Sequence, residues 1–380
     1  MKKHFTFYIL ITILGVVVNA PFSFSQTSIL LSNGAALSYQ SGDIDLSDDS
    51  GEMIDVIYHP ADGGIFTAET IRIQTDKNTQ DENSKTNKTI YKLVEINKGK
   101  IASFQEQYNL SADLIELRDF PHSLIGQLLE IDSDDNLSWD IKIASPKLEM
   151  LAIDFSGDGI IAGAEKIKGS INPILNSPDN SLQQINFELM IEHLDIIPVG
   201  DSELATRLTS ILSDLELQKL TLSLLAKSHF LQINNIQRME LHLSASQLLS
   251  VAITLYIKYP VLENLIRLEE SELAIKLLQQ IKLHKIEIEL EDFGLNAKLT
   301  NSSPSEYHSS AKKLQNLLLA IIPANGQRLT TPIMQFVYKG GKLTLASQPS
   351  NPKPVALIIS MLLFPDLLVE EFAISSEHHP

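Results

Sequence analysis

Apolar and polar residues alternate with a period of two through several stretches, and that pattern constrains the fold more than anything else in the chain. Residues 114–117, 137–143, 185–191, 239–243 and 342–345 all carry it. Successive strand side chains point to opposite faces, so such text buries one face and wets the other. Glu188, Glu192, Glu240 and His242 occupy the wet positions. One-sided burial of this kind belongs to antiparallel sheets.

Helical spacing is concentrated in the C-terminal half. Asp201 or Ser202 can cap a helix carrying Leu204, Leu208, Ile211 and Leu212. Pro260 should end or kink the apolar run 248–257, and Val261, Leu262, Leu265 and Leu268 continue at helical spacing. Ser305 can cap a helix over 312–322, and a short helix over 331–338 should stop at Gly340-Gly341. Further helices are expected over 355–364 and 366–372. The runs 248–257 and 355–364 have the length of buried helices and are too short to span a bilayer. Residues 75–89 contain no apolar residue and read as a polar insert, and 301–310 reads as a second polar joint.

Two segments match at a constant offset, 215–224 (LELQKLTLSL) and 281–290 (IKLHKIEIEL). Their apolar residues occupy odd positions before the shared Lys219 and Lys285, then slip. The first copy continues at Leu220, Leu222 and Leu224, the second at Ile286, Ile288 and Leu290. A regular strand would turn its second half to the wrong face, so a β-bulge is expected near Gln218-Lys219 and near His284-Lys285. The two copies read as repeats of one helix–strand unit.

The N-terminus has the layout of a secretory signal: Lys2 and Lys3, an uncharged apolar run over 5–18, then small residues with a cleavage site after Ala20 or, since Pro21 disfavours that cut, after Ser25. The expected location is the periplasm or the exterior, with an uncleaved inner-membrane anchor as the alternative. The chain has no cysteine, so it offers no disulfide and no thiolate. Its net charge is −17, and nucleic acid would repel it.

Residues 154–165 (DFSGDGIIAGAE) match a twelve-residue calcium loop. Asp154, Ser156, Asp158, the Ile160 carbonyl and Glu165 would supply the oxygens, with Gly159 at the sharp turn. The same text reads as a β-hairpin turning at 156–159, which its β-like flanks favour. Asp132, Asp134, Asp135 and Asp140 lack the turn glycine, and Asp55, His59 and Asp62 sit in turn-forming text. No nucleophile elbow, metalloprotease helix or phosphate loop is present. A hydrolase triad assembled only in three dimensions stays open.

The segments 286–295, 311–322, 339–349 and 351–362 follow one another as strand, amphipathic helix, glycine corner with short strand, and proline-punctuated final helix. Over roughly 205–375 this pattern resembles a group of uncharacterised exported proteins of Gram-negative bacteria. More loosely it is similar to AsmA-like and YdgA-like envelope proteins. The resemblance implies a β-rich envelope protein associated with lipid handling or membrane maintenance, and it supplies no catalytic residues.

The expected fold is α+β: an elongated, twisted antiparallel β-sheet with amphipathic helices packed on one face of the C-terminal half. The expected organisation is a signal (1–25), a β-rich region (26–200), a repeat-containing region (201–375) and a tail (376–380). The expected function is non-enzymatic, as a scaffold or as a carrier of lipid or another hydrophobic ligand, with a lipid or an envelope protein as partner. Its groove would be lined by Leu248, Leu249, Ile253, Ile257, Leu317, Leu318, Ile358 and Leu362. Calcium binding is the alternative, and the oligomeric state stays open.

Overall fold

A computed structural model describes residues 27–30, 36–45, 50–59, 64–76, 90–102, 108–121, 145–175, 182–231, 235–259, 280–323, 326–361 and 363–380. The signal segment, most of the polar insert, strand text 137–143, the acidic cluster 132–140, Asp62, helix text 261–268 and Leu362 lie outside them. The described strands belong to one antiparallel sheet, and the chain divides into two compact units. The first comprises residues 1–173 and 189–208, the second 174–188 and 209–380.

The first unit is a meander. It runs through β1 (Thr27–Leu30), β2 (Ala36–Tyr39), β3 (Ser41–Asp45), β4 (Ser50–His59), β5 (Ile65–Asp76), β6 (Ile90–Ala102), β7 (Tyr108–Pro121), β8 (Lys147–Gly157) and β9 (Ile160–Leu175). From β4 to β9 each strand pairs antiparallel with the next. One face forms a core in which Leu37, Tyr58, Phe66, Ile71, Val94 and Ile96 are essentially inaccessible. The first residues of the predicted polar insert, Thr75 and Asp76, continue β5.

The core positions of this sheet slip phase at one level. Buried residues pass from Met53 to Val56, from Ala68 to Ile71 and from Ala112 to Ile115, three apart instead of two. At that level Asp55, Lys98 and Ala152 have φ of 51°, 48° and 48°. Left-handed backbone costs an L-residue about 1–2 kcal/mol. Adjacent strands slip together, so the ladder continues on both sides of the crease. Across it Lys98 pairs with Glu69 at 2.6 Å on the outer face.

Strand β10 (Leu182–Pro198) and helix α1 (Glu203–Asp214) contribute residues to both units. The Ser202 cap is present: its Oγ accepts the Ala205 N–H at 3.0 Å. The second unit continues with β11 (Leu220–Leu231), β12 (Ile236–Ala245), β13 (Leu249–Lys258) and β14 (Lys282–Asp292). Then follow α2 (Leu295–Ser302), α3 (Pro304–Ile321), α4 (Gly326–Lys339), β15 (Lys342–Ser347), β16 (Lys353–Pro354), α5 (Val355–Met361), α6 (Pro365–Glu371) and β17 (Ile374–His379).

Several expectations are corrected here. The run 248–257 is strand, not helix: β13 pairs along its length with β12 and β14, and its apolar residues match apolar partners on both. The helix expected over 312–322 begins at Pro304, with Ser303 rather than Ser305 at its N-cap, and α2 precedes it, so the polar joint is largely helical. The tail is strand: β17 pairs with β15, and His378 Nε2 lies 2.8 Å from the Gly340 carbonyl. Gly340 and Gly341, at φ 69° and 86°, end α4 as expected.

The two bulge expectations part company. In β14, Tyr256 pairs with Lys285 and Ile257 with Leu283, so His284 is the extra residue and the aliphatic face is kept. In the first copy residues 215–219 form turn and bend, and β11 starts only at Leu220. No bulge is needed there, because the odd positions Leu215 and Leu217 belong to the helix exit and not to the strand.

Candidate functional site

Residues 154–165 form the hairpin. Asp158 and Gly159, at φ 49° and 77°, make a two-residue turn between Gly157 and Ile160. An Asp-Gly pair with both φ positive is the chemistry of a type I′ hairpin. The stretch that matches a calcium loop in sequence thus takes its alternative form, the hairpin. Asp154 sits opposite Gly163 and Ser156 opposite Ile161, so the oxygens run out along two paired strands instead of converging. The Asp158 carboxylate is engaged by the Tyr108 hydroxyl at 2.7 Å, and its carbonyl accepts the Ser202 hydroxyl at 2.8 Å. Among the described residues no group of three metal-ligating side chains gathers. Asp55 and His59 lie in β4, the first in the crease and the second at the strand end.

Of the eight residues expected to line an apolar groove, the described ones are spread over β13 and the residue before it, α3 and α5. Leu249, Ile253 and Ile257 share one face of β13, with Leu248 buried just before it. Leu317 is 56 % exposed on α3, which packs principally on α2 and α4. Ile358 lies in α5, which packs on α6 and β16, and Leu362 is outside the described residues.

The structure shows a different apolar surface. In register, Leu224, Leu243, Val251, Leu290 and Leu343 form one row across β11–β15. The next row is Ala226, Leu241, Ile253, Ile288 and Leu345, and Met239, Leu255 and Ile286 begin a third. The same strands turn a charged face the other way, where Lys227 meets Glu188 at 3.8 Å and Lys342 meets Glu289 at 3.0 Å. Where α4 packs on β15, Leu343 is 2 % exposed. Three strands further, on β12, Leu241 and Leu243 are each 38 % exposed. Thus the aliphatic face is sealed at one side and half open at the other.

His284, the bulge residue at the end of this sheet, has an Nε2 without a hydrogen-bond partner among the described residues. Burial, and then Lys258 and Lys282, hold its pKa below the ordinary histidine value.

The first unit carries a polar trough of about 670 Å³ on the outer face of β5–β9. Its floor follows two register rows. One is Ile65, Ala102, Asn109, Ser156 and Ile161; the other is Thr67, Lys100, Ser111 and Asp154. Of these only Asp154 and Ser156 were singled out in the sequence, and for other chemistry. Small polar residues at alternate positions look the same in a trough as on any wetted strand.

A family profile described as an uncharacterized protein matches residues 230–378. This span falls on the second unit, from the end of β11 to β17, and overlaps the C-terminal pattern seen in the sequence. No curated protein matches the chain.

Proposed function

We propose that the chain is a non-catalytic, exported cell-envelope protein that binds acyl chains of lipid on the aliphatic face of β11–β14. The observation that carries this is the half-open state of that face, with Leu241 and Leu243 each 38 % exposed. A sheet with one apolar face must cover it to be stable. The rows from Leu224 to Ile286 hold Leu, Ile, Val, Ala and Met, with no Tyr, Trp, Phe or Arg. Protein interfaces rely on those aromatic and guanidinium anchors, whereas acyl chains ask only for aliphatic contact. Ten residues of β13 extend about 33 Å, long enough for an acyl chain laid along them. The signal-like N-terminus, with Lys2 and Lys3 before an uncharged apolar run, supports an envelope setting.

Native mass spectrometry of the full chain from its own envelope, with an organic extract run alongside, tests this. A bound lipid that Leu241→Asp releases is the expected result. A bare mass, or lipid retained equally by Leu241→Asp, would overturn it.

A further inference from the structure

We propose that the trough on the outer face of β5–β9 binds a small zwitterion of the α-amino-acid class, with its carboxylate on Lys100 and its ammonium on Asp154. Lys100 pairs in register with Ser111, and Ser111 with Asp154, so the two charges stand on the same face with Ser111 between them. Both line one trough, yet no ion pair joins them. Every other feature of the trough is neutral: Thr67, Asn109, Ser111 and Ser156 offer hydroxyls and an amide.

The spacing suits the ligand. Backbones two strands apart are about 9.5 Å apart. The flexible four-carbon stem of Lys100 closes that backbone gap, so that each charged end of a small zwitterion makes one charge-assisted hydrogen bond of about 2.8 Å. A purely anionic ligand would meet Asp154, and a purely cationic one Lys100, so each is disfavoured by the opposite end. Gly163 keeps the carboxylate accessible, since a Cβ there would approach Asp154 Oδ1 to 3.0 Å. Ile65 and Ile161 close the outer row at its two ends, giving an apolar side chain somewhere to lie.

Isothermal titration calorimetry on the full chain tests the assignment, using leucine, N-acetyl-leucine and leucinamide as probes. The first carries both charges and the others one each. Saturable binding of leucine, weakened at least about tenfold by loss of either charge, is the expected result. Lys100→Met and Asp154→Asn should each weaken leucine by a similar factor while leaving the circular dichroism spectrum unchanged. No saturable heat with leucine at 10 mM overturns the proposal. So does equal binding of the three probes, or binding that survives both substitutions. The three-probe comparison on the unaltered chain decides the matter even if a variant fails to fold.

Discussion

Replacing Gly159 with alanine tests how the β8–β9 hairpin is fastened. Gly159 sits at φ 77°, where an L-residue costs about 1–2 kcal/mol. The added Cβ would lie 2.3 Å from Ser202 Oγ and 3.0 Å from the Val199 carbonyl. That carbonyl is backbone and yields little, because the Val199 N–H is itself bonded to Gly159 O at 2.7 Å. Ser202 must therefore rotate away. It then gives up both its bond to the Asp158 carbonyl and its capping of the Ala205 N–H. A lost cap costs about 1 kcal/mol and a lost neutral hydrogen bond about 1 kcal/mol. Gly159→Ala should thus destabilise by roughly 3–4 kcal/mol in urea unfolding followed by circular dichroism. Ser202→Ala alone should cost about 2 kcal/mol. Because the glycine variant already forfeits the serine's bonds, the double variant should cost little more than Gly159→Ala, a coupling of about 2 kcal/mol. Strict additivity of the two, or a Gly159→Ala cost below about 1 kcal/mol, would refute this account of the turn.

Leu343→Ala should cost about 2–4 kcal/mol, against under about 1 kcal/mol for Leu241→Ala, because only the first is sealed under α4; equal costs in urea unfolding would mean the face is covered throughout. Ala152→Gly should stabilise by roughly 0.5 kcal/mol, since Ala152 is exposed and left-handed in the crease, so no packing is lost. The bond from Lys166, at 2.6 Å, holds the Glu149 pKa below the carboxylate range. That contribution is complete above the unfolded carboxylate pKa and is lost as the pH falls through the depressed value, below about pH 4. Glu149→Gln should flatten that limb of the stability–pH curve. The lowered pKa of His284 acts with the same sign in a different window: stability falls as the pH drops below about 6.5. His284→Asn should remove that step, and a profile unchanged by the substitution would refute it.

Much of the β architecture was legible because its signal is local. Period-two text at 114–117, 185–191, 239–243 and 342–345 lies in strands, and Asp158-Gly159 announced its turn. The slip at His284-Lys285 was visible too, since a misplaced apolar residue reveals a bulge on a one-sided strand. The run 248–257 reads as helix because apolar text ten residues long has no period that separates strand from helix. Leu249, Ile253 and Ile257 are strand residues because β12 and β14 pair with them from either side. The crease at Asp55, Lys98 and Ala152 was equally hidden, for each strand's slip makes sense only beside its neighbours'.

The candidate sites divide along the same line. Composition and period alone mark one face of β11, β12 and β14 as apolar and the other as wet, whereas the text of β13 reads as helix. That α4 seals Leu343 and leaves Leu241 and Leu243 half open, and that Lys100 and Asp154, 54 positions apart, flank one serine, comes from the packing of strands and helices. Composition and spacing are properties of a chain, whereas coverage and juxtaposition depend on which strands and helices come to lie beside one another.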